Sequence, residues 1–90
     1  MTETEMLRIN TDKNSKCQIL KCYGTVGERN TKDGTQSLDL CLVKWFNGPA
    51  RLDLRWWGNG IAGKGCTFNA ASADSLRKML NSIDLNLGAE

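Results

Sequence analysis

Histidine is absent from this 90-residue chain, proline occurs once, and aromatic residues make up only 7% of it. Without histidine a hydrolase would need a carboxylate pair or an activated cysteine, and neither Asp53 nor Cys66 has an evident partner in the sequence. The chain therefore reads as a binding protein, not an enzyme, with no small-molecule substrate. Its four cysteines, Cys17, Cys22, Cys41 and Cys66, include no CxxC pair, and no histidine is present to complete a mixed zinc site. No metal and no cofactor is expected. Cys17 and Cys22 would face opposite sides of a continuous strand, and all four cysteines fit small, mostly buried apolar positions in a reducing compartment. No apolar run approaches the roughly 20 residues that span a membrane. The opening Met1-Thr2-Glu3-Thr4-Glu5-Met6 is acidic and polar, unlike a signal peptide. The expected location is the cytoplasm, nucleoid included, with no membrane partner.

What is present is one small domain's worth of chain, near the size at which oligomerisation commonly supplements a lone core. A homo-oligomer is expected. The formal charge of +2 conceals an uneven distribution, because residues 13–64 carry nine cations against four anions while both ends are acidic. A basic middle segment suits a polyanionic partner.

Residues 1–14 are polar without sustained periodicity and read as a mobile leader, with a short strand conceivable around Leu7 to Ile9; residues 15–87 read as the domain. Strand one is expected over Lys16 to Tyr23. A polar stretch follows, containing the Asp33-Gly34 pair favoured in tight hairpins. Strand two spans Leu38 to Phe46, and Asn47-Gly48-Pro49 turns it into strand three, Ala50 to Trp57. Strand four is Gly65 to Phe68. The preceding glycine-rich GNGIAGKG lacks the spacing and the strand-to-helix context of a phosphate loop, and reads as a flexible turn carrying Lys64 to the sheet rim. Asn69 then caps a helix whose apolar stripe is Ala73, Leu76, Met79, Leu80 and Ile83. The fold class is α+β, with a four-stranded antiparallel sheet followed by a C-terminal helix.

The most informative stretch is Lys44 to Lys64, where basic and aromatic residues interleave. In strand three, Leu52, Leu54 and Trp56 share one side while Arg51, Asp53, Arg55 and Trp57 share the other. If the C-terminal helix covers the leucine side, the face with Arg51, Arg55, Trp57, Lys44 and Phe46 is left exposed. Cations neutralise phosphates and aromatic faces stack on unpaired bases, so this mixture suits a single-stranded nucleic acid. The pattern equally fits a purely structural role, with Trp45, Trp56 and Trp57 in the core or at a dimer contact. It also fits a patch that docks another protein, with the cations as its rim.

The run VKWFNGPARLDLRWW, a glycine-containing loop, GKGCTFN and an amphipathic helix together resemble the positive cofactor 4 family of single-stranded DNA binding proteins, particularly its small bacterial YdbC-like members. The resemblance covers residues 43–84. It implies a homodimer that holds unpaired DNA on its sheets with little sequence specificity, in transcription, replication or repair. Carried over position by position, it makes Phe46 a base-stacking aromatic, Arg55 the arginine after the Asp-hydrophobic pair, Trp57 the aromatic closing that strand, Lys64 the Gly-Lys-Gly lysine, and Lys44 a basic position on strand two. The candidate binding set is thus Lys44, Phe46, Arg51, Arg55, Trp57 and Lys64. Pro49 and Asn47 depart from the lysines common in eukaryotic relatives, and Trp56 from a position usually polar. Stacking and phosphate contacts do not read the sugar hydroxyl, so RNA stays open as a partner beside DNA.

Overall fold

In the computed structural model, which describes residues 1–86, helix α1 (Glu3–Thr11) precedes strands β1 (Cys17–Thr31), β2 (Gly34–Trp45), β3 (Ala50–Gly58) and β4 (Ile61–Phe68), and helix α2 (Ala70–Ser82) follows them. The strands form one antiparallel sheet in the order β1-β2-β3-β4. The α+β architecture is therefore the expected one. Residue 87, where the domain reading ends, lies outside the described residues.

The hairpins follow their turn residues. Lys32-Asp33 turns β1 into β2, with Gly34 at φ +120°. Asn59 (φ +53°) and Gly60 (φ +74°) turn β3 into β4, a two-residue Asn-Gly turn of the kind that matches strand twist. GNGIAGKG is therefore a tight hairpin, and β4 begins at Ile61, ahead of the expected Gly65. Within β4, Gly65 lies so close to β3 that a Cβ there would strike the Leu54 carbonyl and Arg55 Cα.

Three irregularities in the β1–β2 ladder, the first between Ile19 and Lys21, change the parity of β1. Cys17 faces Trp45 and Cys22 faces Cys41, so both cysteines lie on one side of the sheet, not on opposite sides. Cys41 is fully buried, and burial followed by the hydrogen bond with Cys22 pushes its thiol up. Burial also raises the Cys17 thiol, which the hydrogen bond from Ser15 only partly offsets. Cys66 is exposed. Iodoacetamide is therefore expected to label Cys66 first and Cys41 only after unfolding, a sequence that peptide mapping during a urea titration will show.

The segment read as a mobile leader is α1. Its first turn is fixed by a reciprocal capping box, in which the Thr2 hydroxyl accepts from the Glu5 backbone N–H and the Glu5 carboxylate accepts from the Thr2 N–H. Four side contacts dock the helix on the sheet. Ile9 is buried with Ile19, Cys41, Val43 and Trp57. The Asn10 amide accepts from the Ile19 N–H at 2.7 Å and donates to the Ile19 carbonyl at 2.8 Å, pairing with β1 as another strand would. The Met1 ammonium donates to buried Asp39 at 2.6 Å. Arg8 lies over Gly60, where a Cβ would run into its guanidinium.

The sheet consequently has two different faces. Asp39, Cys41, Val43, Asp53 and Trp57 lie on the face under α1, all of them buried. Leu38, Leu40, Leu42, Leu52 and Leu54 lie on the opposite, half-buried face. Helix α2 stands over this second face as its apolar stripe requires, but it buries none of its own residues. Between α2 and the sheet runs an apolar groove of about 550 Å³, lined by Leu40, Leu52, Leu54, Phe68, Leu76 and Leu80 among others.

Candidate nucleic-acid interface

The β2–β3 turn organises the candidate site. Trp45 ends β2, and its indole N–H donates to Asp53 at 3.1 Å. Asp53 is wholly buried and also accepts from Arg55 through Nε (3.1 and 3.2 Å) and Nη2 (3.0 Å). Arg55 Nη1 reaches the Gly63 carbonyl at 2.9 Å, and the guanidinium lies 4.7 Å from the Trp45 ring centroid. One carboxylate thus draws an indole and a guanidinium together and fixes their positions through charge-assisted hydrogen bonds. Asp53, facing the same way as Arg55 in the sequence alternation, therefore orients the arginine.

Trp45, Gly48, Pro49, Arg51, Arg55 and Thr67 line a shallow cleft of about 330 Å³. Phe46, next in the chain, is 73% exposed and has φ +55°. Its N–H donates to the Lys16 carbonyl at 2.6 Å, and Gly48 N–H closes the turn on the Trp45 carbonyl at 2.9 Å. A phenyl ring presented to water on a left-handed backbone carries two unfavourable features at once, since that region costs a non-glycine residue about 1–2 kcal/mol. Arg51 is exposed at the cleft rim with no ion-pair partner among the described residues.

The structure brings Phe46, Arg51 and Arg55 to one end of the sheet and sets Lys44 and Trp57 apart from them. Lys44 pairs with Ala50, while Val43 pairs with Arg51, so Lys44 lies on the leucine face and not beside the arginines. Trp57 is 3% exposed, because α1 covers that end of the arginine face; it is a core residue, not an open platform. Lys64 is exposed in the irregular part of β4, between the Arg55–Gly65 and Trp57–Ala62 pairs. The expectation of one open face carrying Lys44, Phe46, Arg51, Arg55 and Trp57 is therefore corrected at Lys44 and Trp57. Lys44 failed on pairing register, and Trp57 on a covering helix that sequence periodicity did not announce. Trp45 and Thr67, absent from the candidate set, line the cleft. Trp45 lay outside the set because its parity along strand two places it opposite Phe46, whereas the turn brings both to one end. Trp56, on the other face, stacks under Arg29 at 4.1 Å.

Trp57 supplies a separable test of the core. Its indole N–H is buried with no acceptor among the described residues, and an unsatisfied donor of that kind costs about 1–3 kcal/mol. Trp57→Phe trades some packing for removal of that orphan, so it is expected to fall within about 1.5 kcal/mol of wild type. Trp57→Ala leaves a cavity and is expected to lose about 3–5 kcal/mol. Urea titrations followed by circular dichroism will separate the two, and equal losses would mean that the indole N–H has a partner whose loss costs as much as the cavity.

No group of three or more metal-ligating His, Cys, Asp or Glu side chains occurs among the described residues. No helix among them is long and apolar enough to cross a membrane. The fold and site together define a small α+β domain with a shallow cleft lined by Trp45, Arg51 and Arg55. The chain is 31% identical over 71 residues to an uncharacterized protein of Treponema pallidum (strain Nichols), an alignment covering 77% of this chain and 80% of that one. It belongs to the same family as that protein. No family model matches the chain, and no solved structure matches it.

Proposed function

We propose that this protein is a homodimeric binding module for single-stranded nucleic acid, DNA foremost, with little sequence preference and no enzymatic activity, serving transcription, replication or repair in the cytoplasm. The observation that carries the reading is Phe46, held exposed on a left-handed backbone next in the chain to Trp45, whose ring lies under Arg55 in the cleft that Arg51 also lines. Phe46 supplies a stacking surface for a base, and Arg51 and Lys64 supply phosphate contacts. Arg55, neutralised by Asp53, acts chiefly by fixing Trp45. The positive cofactor 4 resemblance of residues 43–84 supports the same assignment.

The dimer would form on the opposite face. Leu76, Met79, Leu80 and Ile83 of the α2 segment are exposed apolar side chains beside the apolar groove. Asp74 at the edge of the groove is already paired with Arg77 and Lys78 on its own helix, so it is the apolar lining that a second copy would cover. Leu80→Glu, at a position already 48% exposed, is expected to leave the chain folded and convert a dimer of 10.0 kDa chains to monomer. Sedimentation equilibrium reads this directly, and a wild-type monomer at 100 µM would remove the dimer.

The binding test is a tryptophan fluorescence titration with an oligothymidine and with a matched duplex at two salt concentrations. Salt-sensitive quenching by the single strand, and much less by the duplex, is the expected result. Binding that ignores salt would instead favour a protein docking patch.

A further inference from the structure

Three sulfur atoms converge on the face under α1. The irregularity between Ile19 and Lys21 turns β1 so that Cys22 lies directly opposite Cys41 on β2. Side chains paired in this way stand on one side of the sheet, with Cβ atoms about 4.5–5.5 Å apart. The Cys22 Sγ is also 3.8 Å from the Met1 Sδ. Met1 is pinned there by its ammonium, which donates to Asp39, two positions from Cys41 on the same face of β2. Both thiols are free. Cys22 is half-buried and Cys41 fully buried, so one is within reach of the surface and the other lies beneath it.

Two thiols and a thioether are soft, polarisable donors, the set that favours Cu(I) over harder ions. Sulfurs held about 2.3 Å from one ion in a trigonal plane lie about 4 Å from one another. The Cys22–Met1 separation meets that spacing with little adjustment. Zn(II) fits less well, because it takes four ligands and no histidine is available. Asp39 is not a spare ligand, since it already accepts from Met1, Thr25 and Ser37. Burial keeps the Cys41 thiol protonated in the free protein, so its thiolate forms as the ion binds. Each thiol releases its proton to solvent as its S–Cu bond forms. Two thiolates and one Cu(I) then carry a single net negative charge, close to the Met1 ammonium.

We propose that Cys22, Cys41 and Met1 are the ligands of one Cu(I) ion, bound in a trigonal site on the sheet face beside the start of α1. None of the three lines the Phe46–Arg51 cleft, so the site is independent of the nucleic-acid reading. The ion joins β1, β2 and the residues leading into α1, and its binding therefore raises the stability of the folded chain.

The test is a competition on the full chain under argon, with Cu(I) supplied as its bicinchoninate complex. One equivalent is expected to pass to the protein, with a sulfur-to-copper charge-transfer band in the near ultraviolet and a rise in Tm. Cys22→Ser, at a half-buried position, is expected to keep the fold and to weaken Cu(I) binding by more than about 100-fold, beyond the roughly 10–100-fold that loss of a supporting group costs. Cys66→Ser changes an exposed thiol on the leucine face, and is expected to bind as wild type does. X-ray absorption is expected to count three sulfurs around the ion. A wild-type chain that leaves Cu(I) with bicinchoninate, or Cys22→Ser protein that binds as wild type does, would overturn the site. Displacement of the bound Cu(I) by excess Zn(II) would overturn its assignment to a soft monovalent ion, and a count of two sulfurs would overturn the part given to Met1.

Discussion

An Asp53→Ala variant is expected to lose about 3–5 kcal/mol of folding stability, the usual cost of stranding one member of a buried ion pair. That is a large share of the roughly 5–15 kcal/mol available to a domain of this size. The physical basis is the number of groups that one carboxylate satisfies. Asp53 is 0% exposed and accepts from the Trp45 indole and from two nitrogens of Arg55, whose side chain is itself only 17% exposed. Alanine leaves the indole N–H and the guanidinium without that partner, in a site partly closed to water. Asp53→Asn keeps an acceptor for Trp45 but removes the charge opposite Arg55, so an intermediate loss is expected. Urea denaturation of the three proteins will rank them. A loss below about 1 kcal/mol for Asp53→Ala would show that Arg55 and Trp45 are solvated without cost, and that the cleft wall is not held by this carboxylate.

The second large effect separates binding from stability at Phe46. Phe46→Gly removes a ring that is 73% exposed and relieves a backbone at φ +55°. Stability is expected to stay level or to rise by up to about 1 kcal/mol, since glycine adopts this region without steric cost. Affinity for oligothymidine is expected to fall, because one stacked base is worth about 1–3 kcal/mol, or roughly 5- to 150-fold. Few substitutions move these two quantities in opposite directions, and that is what a residue retained for binding should do. Loss of stability together with unchanged affinity would falsify the assignment of Phe46 to the strand. Arg51→Ala supplies the electrostatic counterpart, with the slope of log affinity against log salt expected to decrease by about one phosphate contact. A combined Phe46→Ala, Trp57→Ala variant would confuse these effects, because Trp57 belongs to the core under α1.

The alternation of Arg51, Asp53, Arg55 and Trp57 against Leu52, Leu54 and Trp56 was legible, and the structure keeps it. So were the hairpin around Asp33 and Gly34, the Asn69 cap and the apolar stripe of α2. The α1 helix was legible in one feature only, the Thr2/Glu5 capping box, which alone among its residues announces a helix start. Its remaining signal is faint because a single side chain, Ile9, is buried, so no apolar stripe marks it.

What the sequence by itself determined is therefore the set of local elements: alternation fixes two faces on each strand, and turn and cap residues fix where elements begin, through forces acting over a few residues. Only the tertiary structure decided which face is buried, which residues meet, and what stays open. Pairing register put Lys44 across from Ala50, ladder irregularities brought Cys22 opposite Cys41, and the docking of α1 buried Trp57 while the β2–β3 turn left Phe46 in water. Those outcomes depend on contacts between distant segments, where a one-residue shift exchanges the two faces of a strand and no local pattern can record it.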